Sequence, residues 1–304
     1  MVIIESRLPK IFGVVVDGFS VDIANRLKKW VVPFWNTDCL SDYINILTIV
    51  PVSTGNEVGY RVGVCYIDSN NSVDKIVSLI LHHTRIIFKL CAMQYGYVNL
   101  HSACISYNDI GILIDAPRNN GKTTVLLEAL STGDFLLIAN DQVMLNHNNM
   151  ISYGYPATVG LRTSSLSHKL QSKVIRYEND PYVNGKKPIV HIVDIADEFD
   201  ATICPQAQIK VLVNYSKANN YNELHVKTSF VNGREKLKSM EFPLTTAYRS
   251  EVVEYYLGRV SEVVHPIFCK ENHDYTLLLI DVSCGIKQIP NLLEKIKTSI
   301  MELS

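Results

Sequence analysis

Short apolar runs separated by turn residues dominate the first 70 positions of the chain. Three of these runs have the β-branched content of strands: IFGVVVDG (11–18), YINILTIVPV (43–52) and YRVGVCYID (60–68). Apolar runs of this length between turn residues are typical of strands in a sheet. The pattern therefore predicts a small, sheet-rich N-terminal domain.

Residues 72–95 have a different pattern, in which apolar positions recur every three or four residues. This spacing puts those positions on one face of a helix. Ser72 stands where a side chain would cap the first turn, and Gly96 stands where the helix would end. We predict a helix that bridges the two halves of the chain, and an α+β domain over residues 1–96.

The next part of the chain alternates strand-like and helix-like segments. Residues 98–107 and 110–116 flank the turn-compatible pair Asn108-Asp109 and predict a hairpin. A short helix, TTVLLEALST, comes next, and after it the apolar run FLLIAND (135–141). An almost wholly apolar strand is typical of a sheet interior covered on both faces.

The remainder of the chain predicts further elements of both kinds. We expect a hairpin over 143–153, strands over 209–215, 223–230 and 276–283, and helices over 243–263 and 289–303. The polar stretch 163–190 predicts a mobile segment or long loop. Residues 97–304 would form the second and larger domain.

Composition and charge disfavour several classes of protein. The 304 residues are 47% hydrophobic, which allows one large domain or two modest ones. With 29 basic and 30 acidic residues the chain has no global positive field for nucleic acid. The seven cysteines form no CxxC or Cys/His cluster, which disfavours zinc and fits reduced thiols. We expect a cytoplasmic protein with no membrane partner, because no signal-like or membrane-spanning apolar run is visible.

The stretch IGILIDAPRNNGKTT (110–124) combines a strand, a small-residue turn and a helix start. Backbone amides in such a loop wrap around phosphate oxygens, and the positive end of the adjoining helix faces the same anion. In this motif the lysine reaches the terminal phosphates and the next hydroxyl binds Mg²⁺, which are the roles of Lys122 and Thr123. The predicted nucleotide-binding residues are Ala116, Asn119, Asn120, Gly121, Lys122, Thr123 and Thr124. Ala116 departs from the usual glycine and resists a positive φ.

A second polar pair, Asn140-Asp141, ends a strand about twenty residues after Lys122. We expect the short helix to return the chain so that this strand lies parallel beside residues 110–116. Both polar ends would then meet at one edge of the sheet. Asp141 could bind Mg²⁺ or take a proton from a hydroxyl substrate, and a simple turn is the alternative.

Three segments together resemble a known family: LHSA (100–103), ILIDAPRNNGKTT (112–124) and LLIANDQVML (136–145). Their order and spacing resemble the C-terminal domain of HPr kinase/phosphorylase and its relatives, over roughly residues 98–165. Those relatives are similar in core to PEP carboxykinase and include kinases of lasso-peptide precursors. The resemblance implies an α/β P-loop nucleotide-binding domain, here with a smaller N-terminal α+β domain. It also implies a kinase that uses ATP and Mg²⁺, and possible homo-oligomers.

The resemblance also assigns roles to individual residues. The family's loop Lys and Ser/Thr match Lys122 and Thr123, its acidic pair matches Asn140-Asp141, and its early histidine matches His101. Catalytic roles would fall to Asp141, Lys122 and His101, and metal binding to Thr123, Asp141 and Asn140. Asn140 removes one charge from the metal site, and no match to the later glutamate-containing signature of HPr kinases is visible.

The expected acceptor is the hydroxyl of a peptide or protein serine, with a ribosomal peptide precursor as one candidate. YGYPATVGLR (153–162) resembles a Pro-containing segment of the kinase-like relatives. Within it, Tyr155 and Pro156 either line an acceptor groove or pack normally, and Arg162 either steadies transferred charge or is solvated. The alternatives are a free amino acid as acceptor, another enzyme that uses the same loop, or a non-catalytic nucleotide-binding regulator.

Overall fold

The computed structural model of the protein describes residues 1–5, 12–37, 44–53, 58–61, 63–117, 120–161, 167–179, 186–264 and 275–303. The architecture is mixed α/β with several sheets, and the chain divides into two compact units. The first unit takes residues 1–97 and 243–269, and the second takes 98–242 and 270–304. The predicted domain boundary follows residue 96, and the first boundary between the two units follows Tyr97, one residue later. Residues 243–269, predicted as part of the second domain, belong instead to the first unit.

The first unit contains one sheet and several helices. Its strands are β1 (Val2–Glu5), β2 (Phe12–Val16), β3 (Ile44–Val52), β4 (Val58–Arg61) and β5 (Val64–Asp68). The order is β1-β2-β3-β5-β4, with a parallel centre and an antiparallel strand at each edge. Its helices are α1 (Val21–Val31), α2 (Val73–Met93), α7 (Leu244–Ala247) and α8 (Ser250–Val263).

Helix α2 matches the predicted periodic segment. The Ser72 hydroxyl accepts a hydrogen bond from the Lys75 amide at 3.4 Å, and Gly96 takes a φ of 78° three residues beyond the helix. By length and composition α2 is apolar enough to cross a bilayer, yet 72% of its most apolar window is buried inside the protein. It packs against α1 and α8 within the first unit.

The second unit is built on a nine-stranded sheet. Its strands are β6 (Tyr97–Leu100), β7 (Ala103–Tyr107), β8 (Ile110–Asp115), β9 (Leu136–Ala139), β10 (Val143–Asn146), β11 (Ile151–Tyr153), β15 (Gln206–Lys217), β16 (Leu224–Asn232) and β17 (Thr276–Cys284). Seven of them lie in the order β6-β10-β11-β15-β8-β7-β9, while β17 pairs with β15 and β16 pairs with β17. Strands β8, β15 and β17 are parallel neighbours.

A smaller sheet and several helices complete the second unit. The sheet consists of β12 (Thr158–Gly160), β13 (Arg176–Asn179) and β14 (Lys186–His191) in the order β12-β14-β13. The helices are α3 (Lys122–Ser131), α4 (His168–Gln171), α5 (Ile192–Glu198), α6 (Gly233–Lys238) and α9 (Ile289–Met301). The prediction of a mobile or long-loop segment over 163–190 is therefore wrong in its described parts. The polar side chains of this stretch did not indicate strands. Strands β13 and β14 form because they pair in antiparallel orientation, which gives their backbone groups hydrogen-bond partners.

The hairpin predicted around Asn108-Asp109 is present as β7 and β8. Both turn residues have positive φ, 48° and 63°, as a two-residue type I′ turn requires. This hairpin changes the predicted neighbour of β9. Strand β7 lies between β8 and β9 and is antiparallel to both, so β8 and β9 run in the same direction without touching. The prediction that they lie side by side is wrong.

Strand β9 also lies at an end of the seven-strand path, and the prediction of an interior strand is wrong. A short bridge covers its outer side, because Leu137 donates to Thr202 and accepts from Cys204 at 3.0 and 2.8 Å. Leu137 and Ile138 are fully buried. Covering by a connecting segment explains why an edge strand is apolar on both faces.

The hydrophobic core of the second unit lies along the parallel strands. Leu113, Leu212 and Leu279 come from β8, β15 and β17, stand in register, and belong to one buried cluster. Residues in register on parallel neighbours share a face. The residues two positions further along each strand are therefore also in register, close to the carboxyl ends of the strands.

Candidate functional site

The predicted phosphate loop connects the end of β8 to the start of α3. Gly121 precedes the helix with φ 100° and ψ 16°, a left-handed conformation that glycine adopts without a steric penalty. Because Gly121 has no side chain, it provides no side-chain cap to the first-turn amides of Lys122, Thr123 and Thr124. The Asn120 amide donates to Pro117 at 3.1 Å, which tightens the turn. Asn119 lies outside the described residues.

A buried tyrosine stands behind this turn. A Cβ atom added at Gly121 would lie 3.4 Å from a ring carbon of Tyr215 on β15. Burial, and then the neighbouring Cys284, raise the pKa of Tyr215 to about 12, so its hydroxyl stays protonated. That hydroxyl donates to the Cys284 carbonyl at 3.3 Å. The ring therefore forms a fixed wall against which the loop folds.

Lys122 reaches back toward the start of the loop. Its ammonium donates to the Ala116 carbonyl at 2.7 Å, and only 7% of the residue is exposed. Burial lowers the pKa of Lys122, while the carboxylates of Asp141 and Asp115 act in the opposite direction. A cation held at this place by two acidic neighbours can bind a phosphate that displaces the carbonyl.

Ala116 creates no backbone strain at the start of the loop. It is not among the described non-glycine residues with positive φ, and it is buried at 4% exposure. The alanine that departs from the glycine pattern therefore occupies an ordinary conformation. Among the described residues of this loop, Gly121 is the one with a left-handed backbone.

Asn140 and Asp141 lie beside the first turn of α3. The Thr123 hydroxyl donates to the Asn140 side-chain oxygen at 3.3 Å. Asp141 has a φ of 71°, and the Gln142 amide donates to the Asn140 carbonyl across it at 2.9 Å. An i to i+2 bond with positive central φ is a γ-turn of the rare, strained kind. Strain of this kind is concentrated at functional sites, and the Asp141 carboxylate at the centre of this turn is half-exposed.

His101 completes the predicted group. Its Nε2 lies 3.5 Å from an Asp141 carboxylate oxygen, and 30% of the imidazole side chain is exposed. The topology explains the approach. Because β7 runs antiparallel between β8 and β9, the residues just before β7 lie at the edge where β8 and β9 end. The structure thus brings the loop, Lys122, Asp141 and His101 to one edge of the sheet.

The remaining candidates have different surroundings. Tyr155 is buried, and its hydroxyl donates to the Gln142 side chain at 3.3 Å, next to the Asp141 turn. Pro156 is buried as well. Arg162 lies outside the described residues. Among the residues that the structure describes, no group of three or more His, Cys, Asp or Glu side chains could hold a metal ion.

Sequence reasoning missed two features of this edge. The first is Phe242, whose ring lies 4.9 Å from the His101 ring at an angle of 31°. No local pattern could find it, because Phe242 is far from His101 along the chain. The second is a polar row, Asp115, Asn214 and Asp281, which continues the leucine row across β8, β15 and β17. The signal for this row was present in the sequence, as a polar residue at the end of each apolar run.

The members of the polar row differ in their bonding. The Asn214 amide donates to the Asp281 carboxylate at 2.8 Å. Asp115 is half-buried and lies one residue before Ala116, whose carbonyl holds the Lys122 ammonium. Of this row, Asp115 adds a second carboxylate to Asp141 in the surroundings of Lys122.

Comparisons with known proteins give a distant similarity. No protein-family model matches the sequence, and no curated protein sequence matches it. Among solved structures, the chain is similar to the HPr(Ser) kinase/phosphatase from Coxiella burnetii, with a TM-score of 0.32 and 13% sequence identity. That match covers 67% of this chain and 97% of the other. A similarity this weak carries no argument about function, which has to come from the geometry of the site.

Proposed function

We propose that the second unit is a kinase that transfers phosphate from ATP to a hydroxyl group. One observation carries the proposal: the start of α3 at Gly121, the buried Lys122 ammonium and the Asp141 carboxylate converge on one sheet edge. A helix start and a lysine bind a polyphosphate, and a carboxylate beside them accepts a proton or orients a hydroxyl. Phosphoryl transfer needs these parts and little else.

Each residue of the site has a separate role in the proposed reaction. The amides after Gly121 and the ammonium of Lys122 bind the β- and γ-phosphates of ATP. The acceptor oxygen forms a bond to the γ-phosphorus as the bond to the bridging oxygen breaks, and ADP leaves. Asp141 takes the hydroxyl proton. His101, 3.5 Å from Asp141, orients that carboxylate and stabilises its negative charge.

The donor set near Thr123 fits a magnesium ion. Mg²⁺ prefers hard oxygen ligands and keeps several waters, so one or two protein carboxylates and the nucleotide phosphates are enough. The Thr123 hydroxyl and the Asn140 side-chain oxygen are 3.3 Å apart, and Asp141 is the next residue. These three side chains would hold the ion. When bound, it would neutralise charge on the phosphates.

The acceptor we propose is a serine hydroxyl of a peptide or protein, such as a ribosomal peptide precursor. This choice rests on the sequence resemblance to kinases of lasso-peptide precursors, and a free amino acid is the alternative. Asp141 is 53% exposed at the side chain, which leaves room for an acceptor on a larger chain.

A non-catalytic nucleotide-binding regulator is the second candidate, and two observations favour it. Asn140 stands where the resembling family has an acid, and the Lys122 ammonium already has a partner in the Ala116 carbonyl. A regulator would bind ATP through the same loop and leave it intact.

The test uses the full chain with labelled ATP, Mg²⁺ and serine-containing peptides, and compares it with Asp141→Asn and Lys122→Ala. If the protein is a kinase, the wild type transfers phosphate and Asp141→Asn does so at a rate lower by roughly a hundredfold or more, because an amide cannot act as the base. Lys122→Ala should weaken ATP affinity about tenfold or more in either model, because a charge-assisted contact is lost.

Three outcomes separate the models. ATP binding without turnover by the wild type favours the regulator. Equal transfer by wild type and Asp141→Asn rejects the role of the carboxylate. Unaltered ATP affinity in Lys122→Ala rejects the site itself. Lys210→Ala, on the exposed part of β15, is a matched control that should leave affinity unchanged.

A further inference from the structure

The imidazole of His101 is held between two groups. Its Nε2 lies 3.5 Å from an Asp141 carboxylate oxygen, and its ring centroid lies 4.9 Å from that of Phe242. The interplanar angle of 31° leaves the rings tilted but close to face to face. A neighbouring ring at this distance limits the rotamers that a partly exposed imidazole can adopt.

The backbone of Phe242 is itself fixed. Its amide donates to the Asn99 carbonyl at 2.7 Å, and the Asn99 side-chain amide donates to the Phe242 carbonyl at 2.9 Å. Asn99 is only 3% exposed, and the adjacent residues Leu100 and Glu241 form a β-bridge. The segment that carries the ring is therefore tied to the strand that leads directly into His101.

On the basis of the proposed function, we propose that Phe242 is a positioning residue that holds the His101 ring against Asp141 for phosphate transfer. In this role Phe242 acts on the reaction through His101. Its loss should therefore lower turnover without changing the affinity for ATP.

Phe242 and Asn99 both lie near the ends of their segment of the second unit. That segment begins at Val98, one residue before Asn99, and ends at Phe242 itself. The hydrogen bonds between Asn99 and Phe242 thus join the two ends of the segment. Because both partners belong to the second unit, the position of the His101 ring is set within that unit.

The experiment compares Phe242→Leu and Phe242→Tyr with the wild-type chain. Phe242→Leu removes the ring, and we expect kcat to fall about tenfold, because small misplacements of catalytic groups cost about one to two orders of magnitude. The Kd for ATP should be unchanged. Phe242→Tyr keeps the aromatic ring, and its kcat should stay within about twofold of the wild-type value. Phe230→Leu, at an exposed phenylalanine on β16, is the matched control.

A second measurement does not depend on catalysis. In the NMR spectrum of the chain labelled at histidine, the His101 ring protons should shift in Phe242→Leu, since the ring current of Phe242 is gone. The thermal midpoint of each variant shows that it is folded.

The outcomes are distinct. Equal kcat in Phe242→Leu and wild type overturns the positioning role and leaves the kinase intact. An equal loss of kcat in Phe242→Leu and Phe242→Tyr overturns it as well. If the wild type transfers no phosphate, the proposed function fails instead. In that case unshifted His101 resonances in Phe242→Leu would also refute the contact.

Discussion

At the scale of single residues, the site depends on conformations and environments that the residue types do not imply. Asp141 has a left-handed backbone, with the Gln142 amide bonded to the Asn140 carbonyl across it. An aspartate tolerates this conformation better than most residues, because its short polar side chain can bond locally. Lys122 is buried, which lowers its pKa, and the Ala116 carbonyl, Asp141 and Asp115 offset only part of the cost of burying its charge.

The strain at Asp141 can be measured with three substitutions. Asp141→Ala should be about 1 kcal/mol less stable than Asp141→Asn, because alanine lacks the tolerance of asparagine for positive φ. Asp141→Gly should be at least as stable as Asp141→Asn. Urea unfolding of the three variants measures the order. An alanine variant as stable as the asparagine variant would contradict the γ-turn.

At the scale of elements, glycines of positive φ flank helix α3 at both ends and have different surroundings. Gly121 has a φ of 100° and lies against Tyr215, whereas Gly133 has a φ of 77° and nothing within 4 Å of an added Cβ. A side chain at either position would strain the left-handed backbone, but only Gly121 lies in the proposed phosphate loop. This pair therefore separates stability from binding.

We expect Gly121→Ala and Gly133→Ala each to cost roughly 1–2 kcal/mol of stability, since alanine resists the left-handed region. Gly121→Ala alone should weaken ATP affinity, because the amides after it would no longer line the same loop. Calorimetric titration with ATP, at a temperature where both variants are folded, makes the comparison. Equal affinities for ATP would argue against the loop as the phosphate site.

At the scale of the whole molecule, segments far apart in sequence build the core of the first unit. His83 on α2 is 2% exposed and packs edge-on against Tyr60 of β4 and Tyr256 of α8. No described residue bonds to either of its ring nitrogens. Burial, then the neighbouring His82 and Arg85, lower the pKa of His83 to about 3.

This histidine makes the stability of the first unit depend on pH. Its folded pKa of about 3 lies below the ordinary value of 6.5, so between them the unfolded chain binds the proton. The stability is fully present above pH 6.5 and is lost as the pH falls toward 3. We expect His83 to account for a loss of roughly 2 kcal/mol between about pH 7 and pH 5.

Urea unfolding at the two pH values measures this loss. His83→Phe keeps an aromatic ring in the cluster and removes the titration, so the loss should be about 2 kcal/mol smaller in this variant. The same loss in His83→Phe and wild type would rule out a buried neutral imidazole.

Local pattern determined much of the fold. Helical periodicity identified α2, a turn-compatible pair identified the hairpin of β7 and β8, and glycine before lysine identified the start of α3. These features act over a few residues, where backbone sterics and the alternation of apolar positions decide the structure. The same local signals indicated Lys122 and Asp141 as parts of one site.

Tertiary structure alone decided which strands are neighbours and which distant residues join the site. Strand β7 separates β8 from β9 because the hairpin places β7 along that edge of β8. The order of strands along the chain does not determine which strands pair, because pairing depends on how the side chains of both strands pack. The approach of Phe242 to His101, and the return of residues 243–269 to the first unit, have the same cause. Burial of apolar surface is non-directional, so the sequence by itself determines which residues favour burial, and only the folded chain decides what they are buried against.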